Sequence, residues 1–261
     1  MNKKQIEKLA KDPRFISGIY NYCDRWCERC AFTQRCMTFA LCENDNPQSK
    51  DINNKAFWDK IGEIFKVTLE MVKENAEKMG IDLNSIDYEK ADKYEEKVHK
   101  ISQEQPYSKA ALDYLETVRN WFDSNKSLLQ EKADELLMLA QADIPAAKPV
   151  DEAVSIKDCL DVIQWYQYQI YVKLCRAASG MLRGEFEEID YCSEDANGSA
   201  KVAIIGIERS IAAWGELLNK FPQQEDVILS ILVKLKRLLR QAETAFPDAR
   251  SFVRPGFDTT N

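Results

Sequence analysis

The sequence has few of the residues that interrupt regular structure. Its 261 residues include nine glycines and eight prolines. Folds built from many short strands need frequent tight turns, so this scarcity favours long helices. The chain also has a single histidine, His99. That count excludes a Cys-Cys-His-His zinc finger and any metal site built from several histidines.

Other absences bear on partners and location. No apolar run approaches the ~20 residues of a membrane-spanning helix, so we expect no membrane partner. The net charge is −7, so the basic surface of a nucleic-acid-binding protein is missing and we expect no nucleic-acid partner. The polar start, residues 1–7, lacks the apolar core of a signal peptide, which makes the cytoplasm the expected location. In that reducing compartment, clustered cysteines indicate metal or thiol chemistry rather than disulfides.

Apolar residues recur with helical spacing along most of the chain and predict an all-α fold. Helices are predicted over residues 2–11, 55–80, 87–101, 107–142, 155–188, 199–220 and 223–245. We expect an antiparallel bundle of four or five long helices with a small N-terminal Cys-rich helical cap. A polar stretch near residue 50 predicts two domains, a Cys-rich module over 1–50 and the bundle with a C-terminal arm over 51–261. Aromatic residues in that arm favour packing on the bundle.

The segment 107–142 keeps its apolar positions in one phase throughout, and Asn125 is the only polar member of that stripe. A stripe that does not slip over about ten turns predicts one long helix, on the order of 50 Å. The alternative is a pair of helices broken at residues 123–125.

Five of the eight cysteines lie between Cys23 and Cys42, with the spacing C-x3-C-x2-C-x5-C-x5-C. If residues 16–30 are helical, the first three thiols share one face, and a turn can bring the fourth back to it. Four thiolates are what a tetrahedral zinc ion or an iron–sulfur cluster requires. We therefore predict a metal site, with structural zinc preferred over an iron–sulfur cluster. The predicted ligands are Cys23, Cys27, Cys30 and Cys36, with Cys42 as the alternative fourth ligand.

Two other interpretations of the cysteines stay open. The first three belong to a continuous apolar stripe that begins at Ile16, so they could be core residues, because free cysteine behaves as a small hydrophobic residue. Accessible thiols could instead form a redox sensor. C-x3-C-x2-C is also the spacing of radical SAM enzymes. That family is a barrel of strands and helices and usually has an aromatic residue before the third cysteine, whereas this chain has Arg29 and no strand pattern.

The stretch from Phe15 to Cys30, FISGIYNYCDRWCERC, resembles the opening of an uncharacterised bacterial family. The resemblance covers residues 15–42 at most. It implies no known function.

Glu208 and Arg209 are the only charged residues in the apolar stretch 202–214. A carboxylate removed from water must be paired, protonated or bound to a metal. We expect Glu208 to be largely buried and paired with Arg176 or Arg183. The alternative is an enzyme that uses Glu208 in a cavity of the bundle.

Charge is unevenly distributed near the C-terminus. Residues 231–254 are basic and residues 182–196 are acidic, and such opposed patches suit self-association or contact with a protein partner, although a charged helix face is usually only solvated. Taken together, the patterns favour a metal-binding helical scaffold or interaction protein.

Overall fold

A computed structural model describes residues 3–43, 47–142, 148–187 and 190–258. It is 81% helical, and no strand occurs in those ranges, which confirms the predicted all-α class. The α-helices are α1 (Lys3–Ala10), α2 (Met37–Glu43), α3 (Lys55–Lys78), α4 (Tyr88–Glu104), α5 (Pro106–Ser124), α6 (Lys126–Gln141), α7 (Pro149–Glu187), α8 (Asp190–Lys220) and α9 (Glu225–Ala245). None of the helices in these ranges is long and apolar enough to cross a membrane.

The chain forms two compact units. The first comprises Met1–Tyr94 together with Val253–Asn261, and the second is Glu95–Phe252. This division differs from the expected boundary near residue 50. Both α3 and the end of the C-terminal arm are grouped with the cysteine segment.

The second unit is an antiparallel bundle of α5, α7, α8 and α9. Arg176 of α7 pairs with Asp195 of α8 at 2.7 Å, and farther along the same helices Arg209 of α8 donates to the hydroxyl of Tyr166 of α7. The two helices therefore lie side by side in opposite directions. Lys234 of α9 pairs with Asp113 of α5 at 2.9 Å. The bundle therefore agrees with the four or five antiparallel helices expected from the sequence.

Aromatic side chains fill the middle of the bundle. Trp214 is fully buried and meets Trp121 edge to face, with ring centroids 5.0 Å apart. Its indole N–H donates a hydrogen bond to the hydroxyl oxygen of Tyr114 at 3.2 Å, and Tyr114 is also fully buried. Burying each such ring contributes roughly 1.5–3 kcal/mol, so this cluster is a main source of the bundle's stability.

The prediction of one long helix over 107–142 is wrong, and the alternative of two helices is confirmed. Helix α5 ends at Ser124 and α6 begins at Lys126. The buried side chain of Asn125 donates to the carbonyl oxygen of Trp121 at 2.8 Å. The backbone N–H of Asn125 donates to the same carbonyl at 3.0 Å. Asn125 has φ −113° and ψ 19°, outside the α-helical region, so the helix is interrupted while the apolar stripe continues.

Two helices begin earlier than the sequence predicts. Helix α7 begins at Pro149 rather than at residue 155, and α8 begins at Asp190 rather than at residue 199. Proline is well tolerated in the first turn of a helix because it has no N–H to leave unpaired there. Pro149 is therefore the first residue of α7 and does not prevent the helix from forming there.

Helix α3 is confirmed close to its predicted bounds, and Gly80 ends it. Gly80 has φ +69°, and Ile81 N–H donates to the carbonyl of Ala76 at 2.9 Å, which is a typical helix C-terminal motif. Most of the apolar stripe of α3 is exposed. Five large members of the stripe lie at the surface, namely Trp58, Phe65, Leu69, Val72 and Met79.

Candidate metal centre

The cysteine segment is not the helix expected over residues 16–30. It consists of three short 3₁₀ turns, Ile19–Asn21, Cys27–Arg29 and Thr33–Arg35, followed by α2. Gly18 has φ +73° and Arg25 has φ +60°. A left-handed backbone cannot continue a right-handed helix, so these two positions break the segment into turns.

The turns nevertheless bring the four preferred cysteines to one place. Cys23, Cys27, Cys30 and Cys36 are all free, and all four line one cavity of about 30 Å³, which we call the cysteine cavity. A space of that size holds one small ion or about one water molecule. Apolar walls surround it, formed by Ile19, Trp26, Phe32, Phe39 and Phe257.

Backbone groups contact the sulfur atoms. The Phe32 N–H donates to the Cys30 Sγ at 3.4 Å, and the Cys30 N–H closes the turn by donating to the Cys27 carbonyl at 3.2 Å. The Cys23 thiol donates to the Tyr20 carbonyl at 3.5 Å. Hydrogen bonds from amides to sulfur stabilise a thiolate, and they are a common second layer around thiolate-bound metals.

The thiols also influence one another electrostatically. The pKa of Cys27 is raised from its ordinary value, first by burial of the thiol and then by the neighbouring charges of Cys23, Glu28, Cys30 and Cys36. Cys27 is an exposed residue, so the burial of its thiol is only partial. Like charges at close range oppose one another's ionisation. Ionisation of one thiol therefore disfavours ionisation of the next, and a cation placed among them would offset that repulsion.

The four thiols line the same cavity, but they are not arranged around a single position that a metal ion could occupy. Within the described ranges, no group of three or more His, Cys, Asp or Glu side chains is arranged so that it could hold a metal ion as placed. Cys42 lies in α2, and its side chain is outside the described part of the chain. The donor set of four thiols and no imidazole fits zinc or an iron–sulfur cluster by its chemistry.

The C-terminal segment supplies a wall of the cysteine cavity that sequence reasoning missed. Phe257 meets Phe32 edge to face. Gly256 has φ +78°, and a Cβ atom built there would lie 2.8 Å from Ile16 Cδ1. Of the aromatic residues in the arm, Phe246 is buried in the second unit, where it meets Tyr107 edge to face, whereas Phe257 belongs to the first unit.

Glu208 does not occupy the buried position expected for it. Its side chain is 44% exposed and pairs with Arg250 at 2.7 Å. Arg176 instead pairs with Asp195, and Arg183 pairs with Glu95 at 2.5 Å. Glu208 lies on the flank of the apolar stripe of α8, and that offset is enough to bring the carboxylate to solvent.

The charge patches are partly neutralised within the chain. In the basic segment, Lys234 pairs with Asp113, Arg250 bonds Glu208 and Glu243, and Arg254 pairs with Asp258 at 2.9 Å. In the acidic segment, the side chains of residues 185–193 are outside the described part of the chain. Self-association through these patches stays a prediction.

Comparisons of the chain with protein-family models, curated proteins and solved structures found no match. The resemblance of residues 15–42 to an uncharacterised bacterial family therefore stays a prediction. Inference about function rests on the cysteine cavity and on the exposed surfaces of the chain.

Proposed function

We propose that this protein is a helical scaffold or interaction protein whose N-terminal segment is held by a structural zinc ion. The ligands are Cys23, Cys27, Cys30 and Cys36. The observation that carries the proposal is that all four thiols line one small cavity, although only short turns connect them.

The segment needs such a staple because its own core is small. Among the described side chains of residues 15–41, only those of Ile19 and Tyr22 are buried. Burying one large apolar side chain contributes roughly 1.5–3 kcal/mol, whereas ordering the backbone of each residue costs about 1–2 kcal/mol. Two buried side chains cannot offset that entropy for the whole segment. Small modules with this deficit are usually stabilised by disulfides or by a metal ion, and these thiols are free.

The electrostatics of the cavity support a cation. A divalent ion removes the repulsion among the thiolates, and its binding releases their protons. Four thiolates and one zinc ion leave a net negative charge at the site. Arg25 lines the cavity, and the guanidinium of Arg29 stacks over Trp26 at 4.0 Å from the ring centroid. Both cations are well placed to balance that charge.

The other functions considered have less support. A thiol redox sensor uses a cysteine with a lowered pKa, because the thiolate is the reactive species, whereas the pKa of Cys27 is raised. An enzyme that uses Glu208 needs that carboxylate in a cavity, whereas it is exposed and paired with Arg250. An iron–sulfur cluster would use the same four ligands. Measurement of the metal content distinguishes it from zinc.

The test is the metal content of protein purified without air. We expect one zinc per chain in the wild type, loss of that zinc in Cys27→Ser, and full retention in Cys159→Ser. Cys159 is a suitable control because it is a free, buried cysteine of α7. A brown protein that contains iron and sulfide would show that the four cysteines hold an iron–sulfur cluster instead of zinc. Protein that contains no metal would contradict the proposal.

A further inference from the structure

The second compact unit has an open cleft where helix α5 meets the start of α9. Its volume is about 450 Å³, which is within the ~300–1,000 Å³ of small-molecule binding sites. Five lining residues come from one face of α5, because they follow the i, i+3, i+4, i+7, i+8 spacing of a helix face. Gln224 ends the 3₁₀ turn that precedes α9. The polar and aromatic lining residues are Thr117, Asn120, Trp121, Ser124, Asn125 and Gln224.

The cleft offers hydrogen-bonding groups without charge. None of the seven described residues that line it is charged, and only one is aliphatic. Lys234 donates to the Thr117 hydroxyl at 3.0 Å, but its charge is already paired with Asp113 at 2.9 Å. The first turn of α9 contains Glu225 and Asp226, which repel an anion. The cleft therefore favours an uncharged ligand.

Two buried groups of the lining leave hydrogen-bonding capacity unused. Trp121 is only 4% exposed, and its indole N–H has no partner in the described part of the chain. The side-chain nitrogen of Asn125 bonds the Trp121 carbonyl, which leaves the side-chain oxygen of Asn125 as an acceptor. A buried donor without a partner is costly, so an oxygen atom in the cleft that accepts from Trp121 removes that cost.

Hydroxyl groups match this lining better than other uncharged groups do. Each hydroxyl donates one hydrogen bond and accepts two, and the carboxamides of Asn120 and Gln224 offer both roles side by side. An apolar ligand would leave these groups unpaired. A flat aromatic ligand needs the free face of an aromatic side chain, whereas the Trp121 ring already packs against Trp214 and Phe122.

We propose that this cleft binds a neutral polyhydroxylated molecule, of which a monosaccharide is the simplest kind. The indole of Trp121 donates to a ligand oxygen, while Asn120 and Gln224 bond the hydroxyls from the α5 and α9 sides. The cleft is open and the hydroxyls must give up water, so we expect a Kd on the order of 1 mM for a single sugar ring. The cleft is separate from the zinc site, since none of its lining residues lines the cysteine cavity.

The test is a titration of the isotope-labelled full chain with glucose, galactose and mannose, followed by NMR. Each tryptophan gives one indole N–H signal, and Trp121→Phe identifies that of Trp121 by its disappearance. We expect this signal to shift saturably with at least one sugar. The signal of Trp58, which donates to the Ile52 carbonyl in the first unit, should stay in place, and sodium acetate should shift neither signal. No shift with any of the three sugars, or a shift with acetate, overturns the proposal.

Two neighbouring glutamines provide a matched pair of variants. Gln224 lines the cleft, whereas Gln223 is exposed and does not. Gln224→Ala should raise the Kd for the bound sugar roughly two- to tenfold, which is the effect of losing one hydrogen bond between uncharged groups. Gln223→Ala should leave the Kd unchanged, and both variants should unfold at the wild-type temperature. Equal Kd values for all three proteins would mean that the sugar binds elsewhere, which contradicts the assignment of the cleft.

Discussion

Phe257 meets Phe32 edge to face at the wall of the cysteine cavity, with ring centroids 5.0 Å apart. The guanidinium of Arg254 stacks over the same Phe257 ring at 4.9 Å and is itself held by Asp258. Residues 254–258 are thus held against the turns that carry the cysteines. If those turns hold a metal ion, the C-terminal segment shields it from solvent.

Phe257→Ala should therefore weaken the metal site without touching a ligand. Removing the ring opens the cavity and loses an aromatic pair worth about 0.5–1.5 kcal/mol. We expect zinc to transfer to a chelator several-fold faster, as measured with a colorimetric chelator under pseudo-first-order conditions. Phe252→Ala, in the other compact unit, should leave that rate unchanged. Equal rates for all three proteins would show that Phe257 does not protect the site.

Two glycines offer a matched test of how closely the C-terminal segment packs. Gly256 and Gly80 have similar positive φ angles, +78° and +69°, so Ala at either position carries a backbone cost of about 1–2 kcal/mol. Only at Gly256 would the new Cβ meet a neighbour, 2.8 Å from Ile16. We expect Gly256→Ala to lower the free energy of unfolding more than Gly80→Ala, as measured by urea denaturation. The reverse order would contradict this packing.

The stability of the metal-free protein should depend on pH through Cys27. Its pKa in the folded chain is raised above the ordinary 9.0, so the folded state holds this proton more tightly than the unfolded state does. The resulting stability is fully present below pH 9 and is lost as the pH rises through the raised pKa. Bound zinc reverses the trend, because protons compete with it for the thiolates and displace it as the pH falls.

Urea denaturation across a pH series, with and without zinc, measures both effects. We expect the zinc-free midpoint to fall above pH 9 and the zinc-dependent gain in stability to shrink on acidification. A zinc-dependent gain that does not change with pH would contradict thiolate ligation. Cys27→Ser in the zinc-free form should remove the alkaline decline that Cys27 contributes.

Tyr114→Phe should destabilise the bundle by about 1–2 kcal/mol. The change removes the acceptor of the Trp214 indole N–H and leaves a buried donor unpaired. Tyr168→Phe is the control, because Tyr168 lies on α7 and is exposed. Thermal unfolding followed by circular dichroism measures the difference. Equal melting temperatures for the two variants would mean that the buried hydrogen bond contributes nothing net.

The bundle follows from the sequence because its helices are long and their apolar spacing is regular. The spacing does not predict the break at Asn125, because the apolar phase continues across it although the backbone angles of Asn125 leave the α-helical region. The burial of Glu208 was misjudged because periodicity gives the angle of a residue on its helix, but not where the neighbouring helices and Arg250 lie.

The cysteine segment shows a different limit. The cysteine spacing predicted one helix face, but Gly18 and Arg25 adopt left-handed backbone angles. Arginine rarely adopts such angles, so the sequence gives no sign of the break at Arg25. Cys23, Cys27, Cys30 and Cys36 nevertheless line one cavity. A series of short turns brings them together, not the helix that the spacing predicted. The helical spacing predicted α3 itself, but periodicity marks an apolar face without showing whether that face is buried, and most of the apolar stripe of α3 is exposed.

X-ray absorption at the zinc edge of the air-free protein measures directly which atoms bind the zinc ion. We expect four sulfur atoms at about 2.3 Å from the zinc, with no nitrogen or oxygen ligand. In Cys36→Ser, one of the sulfur atoms should be replaced or the zinc should be lost. A wild-type first shell dominated by nitrogen or oxygen, or protein without zinc, would contradict a structural zinc ion held by Cys23, Cys27, Cys30 and Cys36.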